Sequence, residues 1–395
     1  MKVEPQRLLE RIRREDPEGA RLIDDLLHRL PDLSRQADRL GELPEQFWRN
    51  LPLGILNRVN IPVEFGGLAL TSTALRRVVV FEQVGQACPA LPIGMPGPGL
   101  SMPPVLSLGT PEQKTEYFRR FQTDNRPVWG AFAITEPAVG SDATAIRTTA
   151  TDDGDGYVIN GEKCFITNGA RADVVVVFAS LNRDKGRFGI RAFVVPRETP
   201  GFSVIRLENM MGLRVSQLAS LSFDNCKVSK DQMLGHNGKR GPLIDAFTGA
   251  QSAWDYMRPV LSALINGSSL GILAYAERLL NEGVVPISRS AIHTIREEIA
   301  LYKEKVRSAQ LIVYRAAWKY DTGDRSSLDA SMAKAYSSSL AMEIANRLCT
   351  AFSLNGVLTG SRFEKFYRDA KAFDILEGTG DMHRLMIARA YQAAA

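Results

Sequence analysis

Apolar positions along the chain change their spacing twice. Up to about residue 125 they recur every three or four residues, so LLERIRRED, ARLIDDLLHRLPDLSRQADRL and ALRRVVVFEQVGQA read as helices. Turn-rich breaks fall at Pro62-Val63-Glu64-Phe65-Gly66-Gly67 and at Gly94-Met95-Pro96-Gly97-Pro98-Gly99, the second too rich in proline and glycine to be helical. From about 126 to 235 the period becomes two. GYVINGEKCFITNG alternates around an Asn160-Gly161 hairpin signal, and DVVVVFAS, FGIRAFVVP and LASLSFDNCKV are β-branched or aromatic runs. The pattern predicts a compact antiparallel β domain of about six to eight strands. After Gly241 long helices return. Ile292, Ile295, Ile299, Tyr302, Val306, Ala309, Val313 and Ala316 form an alternating three–four seam, the mark of antiparallel helices packed at a shallow angle. Asp321-Thr322-Gly323 ends that helix, and DASMAKAYSSSLAMEIANRLCTAF begins another.

Such a seam serves either a core or a subunit interface. The fold class is α+β in segregated blocks: an N-terminal helical domain (1–125), a central β-barrel-like domain (126–240) and a C-terminal four-helix bundle (241–395). No GxGxxG follows a strand in the β region, so a dinucleotide-binding βαβ reading fails.

Composition narrows the function classes. The 395 residues, 45% hydrophobic and 24% charged, suit a globular chain with two or three cores. No uninterrupted apolar run approaches a membrane span. The charged start MKVEPQRLLERIRRED lacks an export signal, so a cytoplasmic location is expected. Cys88, Cys164, Cys226 and Cys349 are scattered, and neither they nor the four histidines show metal-ligand spacing. A net charge of +5 and a pI near 9.0 are dispersed along the chain, which argues against nucleic acid and suits a polyanionic coenzyme or an acidic carrier domain.

One short run carries chemistry. Glu377-Gly378-Thr379 lies between Ile375-Leu376 and Leu385-Met386-Ile387. A carboxylate in apolar surroundings, beside a glycine that permits close approach, is a candidate general base toward a weakly acidic C–H. A partly exposed helix-start glutamate is the plain alternative.

The segment Ala131-Phe132-Ala133-Ile134-Thr135-Glu136-Pro137-Ala138-Val139-Gly140-Ser141-Asp142 resembles the flavin-binding signature of the acyl-CoA dehydrogenase family. INGEKCFITNG and DILEGTGDMHRLMIAR agree with that family in order and spacing. MGLRVSQLASLSFDNCKV and Asp255-Tyr256-Met257-Arg258-Pro259 agree more weakly, and the resemblance covers essentially the whole chain. It implies an FAD-dependent acyl-thioester dehydrogenase in which Glu377 takes the α-proton and a β-hydride passes to flavin N5. By the same resemblance the Glu377 N–H helps hold the thioester carbonyl, and Gly378 keeps that approach open. Phe132, Ala133, Ile134 and Thr135 would line the isoalloxazine, with Thr135 hydrogen-bonded to it. Phe165, where tryptophan is common, Ile166 and Thr167 would form a second flavin-contact strand. Gly140 and Ser141 would sit near the pyrophosphate, Thr379 and Asp381 on the cofactor, and Ser141, Asp255, Arg258 and Gly378 on the substrate. An Arg-Pro pair is also common as a solvated structural feature.

The partners so implied are an acyl-CoA or acyl-carrier-protein thioester, electron-transferring flavoprotein, and further copies of the chain in a homodimer or homotetramer. No metal, nucleic acid or membrane is expected. A flavin-dependent monooxygenase or oxidase on the same scaffold is the alternative, although such members often lose the glutamate kept here. A non-catalytic flavoprotein binding module comes after it.

Two stretches depart from the family. Asn281–Ile287 and Thr350–Gly356 stand where an Arg-x-x-Phe-Gly and a Gln-x-x-Gly-Gly segment usually grip the adenosine side of FAD from a neighbouring subunit. Weaker or differently held FAD, or an altered oligomer interface, is expected. Arg362, Lys365, Arg368 and Lys371 in SRFEKFYRDAKAF make either a basic face or a salt-bridged solvated helix.

Overall fold

Capping chemistry sets the N-terminal helices. In the computed structural model, which describes residues 5–48, 51–236, 246–283, 287–324 and 326–394, they are α1 (Pro5–Glu15), α2 (Pro17–Leu40), α3 (Glu45–Trp48), α4 (Leu53–Arg58), α5 (Ala74–Ala87), α6 (Ala90–Gly94), α7 (Met102–Leu108) and α8 (Pro111–Arg119). Asp16 caps α2 by accepting from the Gly19 N–H at 2.9 Å, with Pro17 at the first helical position. Thr110 and Gln113 form a reciprocal capping box at α8. The Gly94–Gly99 break contains the end of α6 and leads into a one-turn 3-10 helix, Gly99–Ser101, so only its middle is free of helix. That middle is stitched to the next domain: the Gly97 N–H donates to the Val128 carbonyl at 2.7 Å, and the Gly130 N–H to the Gly97 carbonyl at 3.0 Å.

Among the described residues seven strands follow: β1 (Gly130–Ala133), β2 (Thr149–Asp152), β3 (Gly156–Ile166), β4 (Val174–Ser180), β5 (Ile190–Pro196), β6 (Phe202–Leu207) and β7 (Ala219–Ser229). The sheet order is β1-β4-β2-β3-β7-β6, with β5 also paired to β4. The expectation of a purely antiparallel sheet is corrected here, because β1 runs parallel to β4 and β2 meets β4 in parallel. The whole β2–β3 hairpin intervenes between β1 and β4, and the chain re-enters beside β1 in the same direction. Residues of β4 are buried along its full length, which is why it reads as a continuous apolar run.

The Asn160-Gly161 hairpin is corrected as well. Both residues lie inside β3, where the register against β7 shifts between Ile159 and Gly161. The reversal is at Asp153–Gly156, closed by the Asp153 N–H on the Gly156 carbonyl at 3.3 Å. Gly161 has φ +145°, and a Cβ there would lie 2.6 Å from Thr148 Oγ1. Its role is close approach within a bulge.

The C-terminal helices are α9 (Ala246–Glu282), α10 (Arg289–Asp321), α11 (Ser327–Ala351), α12 (Ser353–Val357), α13 (Arg362–Ile375) and α14 (Gly380–Ala394). Helices α9, α10, α11 and α13 pack as a bundle, with α14 against α11. The seam of α10 is buried from Ile295 to Ala316, with Ile292 partly so, and lies in the core. Helix α9 is apolar enough over 18 residues to match a membrane span in composition, yet 78% of that window is buried inside the fold. One hydrophobic core joins the N-terminal helices to the bundle through residues such as Leu30, Val84, Leu264 and Phe373. A second packs the β1–β4 edge against α7, α8 and the start of α9 through Val105, Phe121, Ile134, Phe178 and Tyr256. The boundary expected at 240/241 lies outside the described residues, as do Val284–Pro286 of the first altered stretch.

The basic run in α13 is salt-bridged, as one of its two readings expects, and Lys371 is exposed beside Asp374, but Lys365 and Arg368 are not solvated. Lys365 is buried in an ion pair with Asp369, and Arg368 bridges Asp38 of α2 and Glu364. Asp369 also accepts the Leu213 N–H at 2.7 Å, so these charges lock α13 to α2 and to the loop before β7 rather than facing solvent.

Candidate active site

Between α13 and α14 the chain makes a tight turn at Glu377 and Gly378. Glu377 has φ +58°, a left-handed conformation costly for a residue with a Cβ, and Gly378 has φ +100°. Thr379 Oγ1 accepts the Met382 N–H at 3.3 Å and so caps α14. A Cβ on Gly378 would stand 3.1 Å from His383 Nε2, which makes glycine the fitting residue there.

Cations from two other helices hold the turn. Arg258 Nε of α9 donates to the Glu377 carbonyl at 3.3 Å, and Lys334 Nζ of α11 donates to the Gly378 carbonyl at 3.3 Å. Arg258 and Lys334 are only 4% and 1% exposed. Glu377 is half-buried as a residue, but its Oε2 is fully buried and has no hydrogen-bond partner among the described residues.

Burial lifts the Glu377 carboxyl to about 7, against the opposing pull of Arg258 and Lys334. Lys334 is brought down to about 8 by burial, with Asp374 and Glu377 resisting. His383, fully buried on the first turn of α14, falls to about 3 through burial and the two cations, so its ring stays neutral. Arg258 is lowered by burial, with Asp255 and Glu377 resisting. Asp255 is raised by burial. It accepts from Ser327 Oγ at 2.5 Å and Gln251 Nε2 at 3.0 Å, and lies 3.7 Å from Arg258. A desolvated carboxylate with an open oxygen and a proton affinity near neutrality is suited to accept a proton from carbon. Arg258-Pro259 sits inside α9, and Arg258 is buried, so the solvated helix-end alternative does not apply.

A second cluster forms where β1 and β3 end. The Cys164 N–H donates to the Thr135 carbonyl at 2.9 Å. Lys163 Nζ donates to the Ile134 carbonyl at 3.1 Å and to Glu136 Oε1 at 2.8 Å. Glu136 also accepts the backbone N–H groups of Arg147 and Thr148, at 2.6 and 2.9 Å. Burial brings Lys163 down to about 8, whereas burial of Glu136 is outweighed by Lys163 and the donors around it, which hold it below the usual carboxylate range. This buried pair fixes the strap Ile134–Glu136 against β3.

Next to the strap, Phe165 has φ +55° and is 57% exposed, while its neighbours Cys164 and Ile166 are buried. An aromatic ring held outward by strained backbone is a flat wall without an internal partner. Phe132 is half-buried, 5.0 Å from Phe178; Ala133 and Ile134 are buried, and Thr135 and Thr167 are half-buried. This border of flat apolar surface and hydroxyls fits an aromatic ring system such as that of FAD. Gly140 and Ser141 are exposed on the turn after the Glu136–Val139 backbone pair. Asp381 joins neither cluster: it is exposed and pairs with Arg384 at 3.0 Å.

Helix α9 connects the two clusters. Trp254, Tyr256 and Met257 pack into the core shared with Phe132 and Ile134, while the adjacent Arg258 reaches Glu377. Lys334 and His383 are the residues that sequence reasoning missed. A signal for Lys334 existed: it shares a helical stripe with the small buried residues Ala330, Ser331, Ser337, Ser338 and Ala341.

Comparison with known proteins gives the family. The family descriptions "Acyl-CoA dehydrogenase, N-terminal domain", "middle domain" and "C-terminal domain" match residues 26–124, 131–226 and 251–392. The chain is 34% identical over 342 residues to a cyclohex-1-ene-1-carbonyl-CoA dehydrogenase of Geobacter metallireducens, covering 86% of this chain and 87% of that one. It is 32% identical over 365 residues to an acryloyl-CoA reductase (NADH) of Anaerotignum propionicum, covering 91% and 90%. The solved butyryl-CoA dehydrogenase of Megasphaera elsdenii superposes with a TM-score of 0.84 at 27% identity, over 99% of this chain and 100% of that one. With all three domains matched in order, the chain belongs to the acyl-CoA dehydrogenase family of FAD-dependent oxidoreductases acting on CH–CH bonds.

Proposed function

We propose that the protein desaturates an acyl-CoA or acyl-carrier-protein thioester between Cα and Cβ, with Glu377 as the base that removes the α-proton. The observation that carries this reading is the buried, unpartnered Oε2 of Glu377 on a turn held by Arg258 and Lys334. A thioester α-proton is weakly acidic, so its removal needs a base kept from water and a donor for the developing enolate oxygen. Glu377 supplies the first, and its backbone N–H is assigned to the second. Bound FAD supplies the acceptor for the β-hydrogen and its electron pair. Phe132, Ala133, Ile134 and Thr135, with Phe165, Ile166 and Thr167, would border its ring, and Gly140 and Ser141 its phosphates. Asp255 and Ser141 would face the substrate. Arg258 acts from behind the base, through the Glu377 carbonyl.

The relatives include both a dehydrogenase and a reductase. The same carboxyl serves both directions, because the group that takes the α-proton in oxidation returns it in reduction. Electron-transferring flavoprotein as electron acceptor and a homodimer or homotetramer complete the reading.

Glu377→Gln tests it. The amide cannot accept the proton, so the variant should keep FAD while thioester-dependent flavin bleaching under anaerobic conditions slows roughly a thousandfold. Undiminished bleaching would remove Glu377 from the mechanism. Bleaching that required a nicotinamide donor would favour the monooxygenase alternative.

A further inference from the structure

Glu377 and Gly378 present consecutive carbonyls, and each meets a buried cation from a different helix. We propose that Lys334 is a positioning residue for Glu377, clamping the Gly378 carbonyl while Arg258 clamps the Glu377 carbonyl. The proposal rests on the reading of Glu377 as the base.

The geometry gives Lys334 little else to do. It lies in the interior of α11, and its ammonium makes its hydrogen bond to Gly378 alone among those described. A buried ammonium is costly unless its donors are used, so its retention in an otherwise small-residue stripe needs a partner that benefits. The turn is that partner. With φ positive at Glu377, a residue with a Cβ, that part of the turn is held in a strained conformation, while Gly378 follows at positive φ without strain. A carbonyl fixed on one side of a planar peptide directs the N–H of the same unit to the other side. The two cations therefore set the planes Glu377–Gly378 and Gly378–Thr379. His383 closes the space beside Gly378, so that turn cannot relax into it.

The electrostatics point the same way. The charged groups acting on Glu377 are Arg258 from α9 and Lys334 from α11; Asp255 pairs with Arg258 and Asp374 acts on Lys334, while neutral His383 from α14 lies beside Gly378. The two cations favour the ionised form of the base, and removing one weakens that support.

The test compares Lys334→Met, which removes both charge and hydrogen bond, with Lys334→Gln, which keeps an N–H donor without the charge. With FAD content and gel-filtration volume unchanged, Lys334→Met should lower kcat about tenfold with KM altered much less. Lys334→Gln should recover part of that loss. In both, the acidic limb of the pH–rate profile should move to higher pH, an effect that loosened packing alone would not produce. A readout independent of turnover is the carboxyl titration of 13C-labelled Glu377, assigned by its loss in Glu377→Gln, which should move the same way. If Lys334→Met fails to fold, Lys334→Gln carries the test. An unchanged kcat and an unmoved titration in a folded variant overturn the proposal. Should Glu377→Gln retain full activity, the reading of the base fails instead.

Discussion

Glu377 combines two unfavourable features in one residue, a left-handed backbone and a buried carboxylate oxygen without a partner. Their coincidence singles it out among the acidic residues. With its carboxyl at about 7, the base is ionised above that pH and protonated below it. The thioester-dependent rate should therefore climb through about pH 7 and level off above it, measured as flavin bleaching under single-turnover conditions. A rate limb centred near the ordinary glutamate value would contradict a desolvated base. The sequence showed this residue and its apolar neighbours plainly. It could not show Lys334 and His383 beside it, because they belong to other helices, 43 positions before and six after in the numbering of the chain.

At the level of elements, the strap Ile134–Glu136 depends on one buried ion pair. Lys163→Met would leave Glu136 buried with only its backbone donors. Loss of about 3 kcal/mol is expected, seen as a lower urea midpoint, together with faster FAD loss. Equal stability would mean that the pair is dispensable to the strap. Element type was legible wherever spacing was regular: the seam of α10 follows directly from residue order. Asn160-Gly161 misled because the dipeptide that favours a two-residue hairpin also suits a bulge where Thr148 crowds the strand. The parallel pairing of β1 with β4 was equally hidden, since alternation states which face is buried and not which neighbour runs alongside.

Across the whole molecule, α5 and α10 meet at a buried carboxyl. Glu82 accepts from Gln310 and Tyr314 and is raised to about 7 by burial. Its folded value lies above its unfolded one, so the native state holds the extra proton between about pH 4.5 and 7. Stability contributed by this group is therefore present at low pH and lost as pH rises to about 7. Glu82→Gln should match the parent near pH 4.5 and exceed it by about 3 kcal/mol at pH 8, read from urea unfolding at both values. A constant difference at the two pH values would refute the assignment. The altered stretch at Thr350–Gly356 leads into α12, whose Leu354 and Val357 are 73% and 59% exposed. Gel filtration should show FAD held more weakly than at full stoichiometry, or an oligomer other than a tetramer; stoichiometric FAD in a tetramer would remove the idea.

Residue order alone gave the α+β blocks and marked the glutamate as a candidate, because each is a local pattern of spacing or composition; the flavin signature came from resemblance to a known family. Only the tertiary structure decided which buried cations meet the Glu377 turn, where β1 finds its partner, and that Lys365 and Arg368 of α13 pair inward. Those are long-range pairings, and they arise when separate hydrophobic faces are packed together. The physical reason is that burial and proton affinity belong to a site assembled from several helices, not to any one stretch of chain.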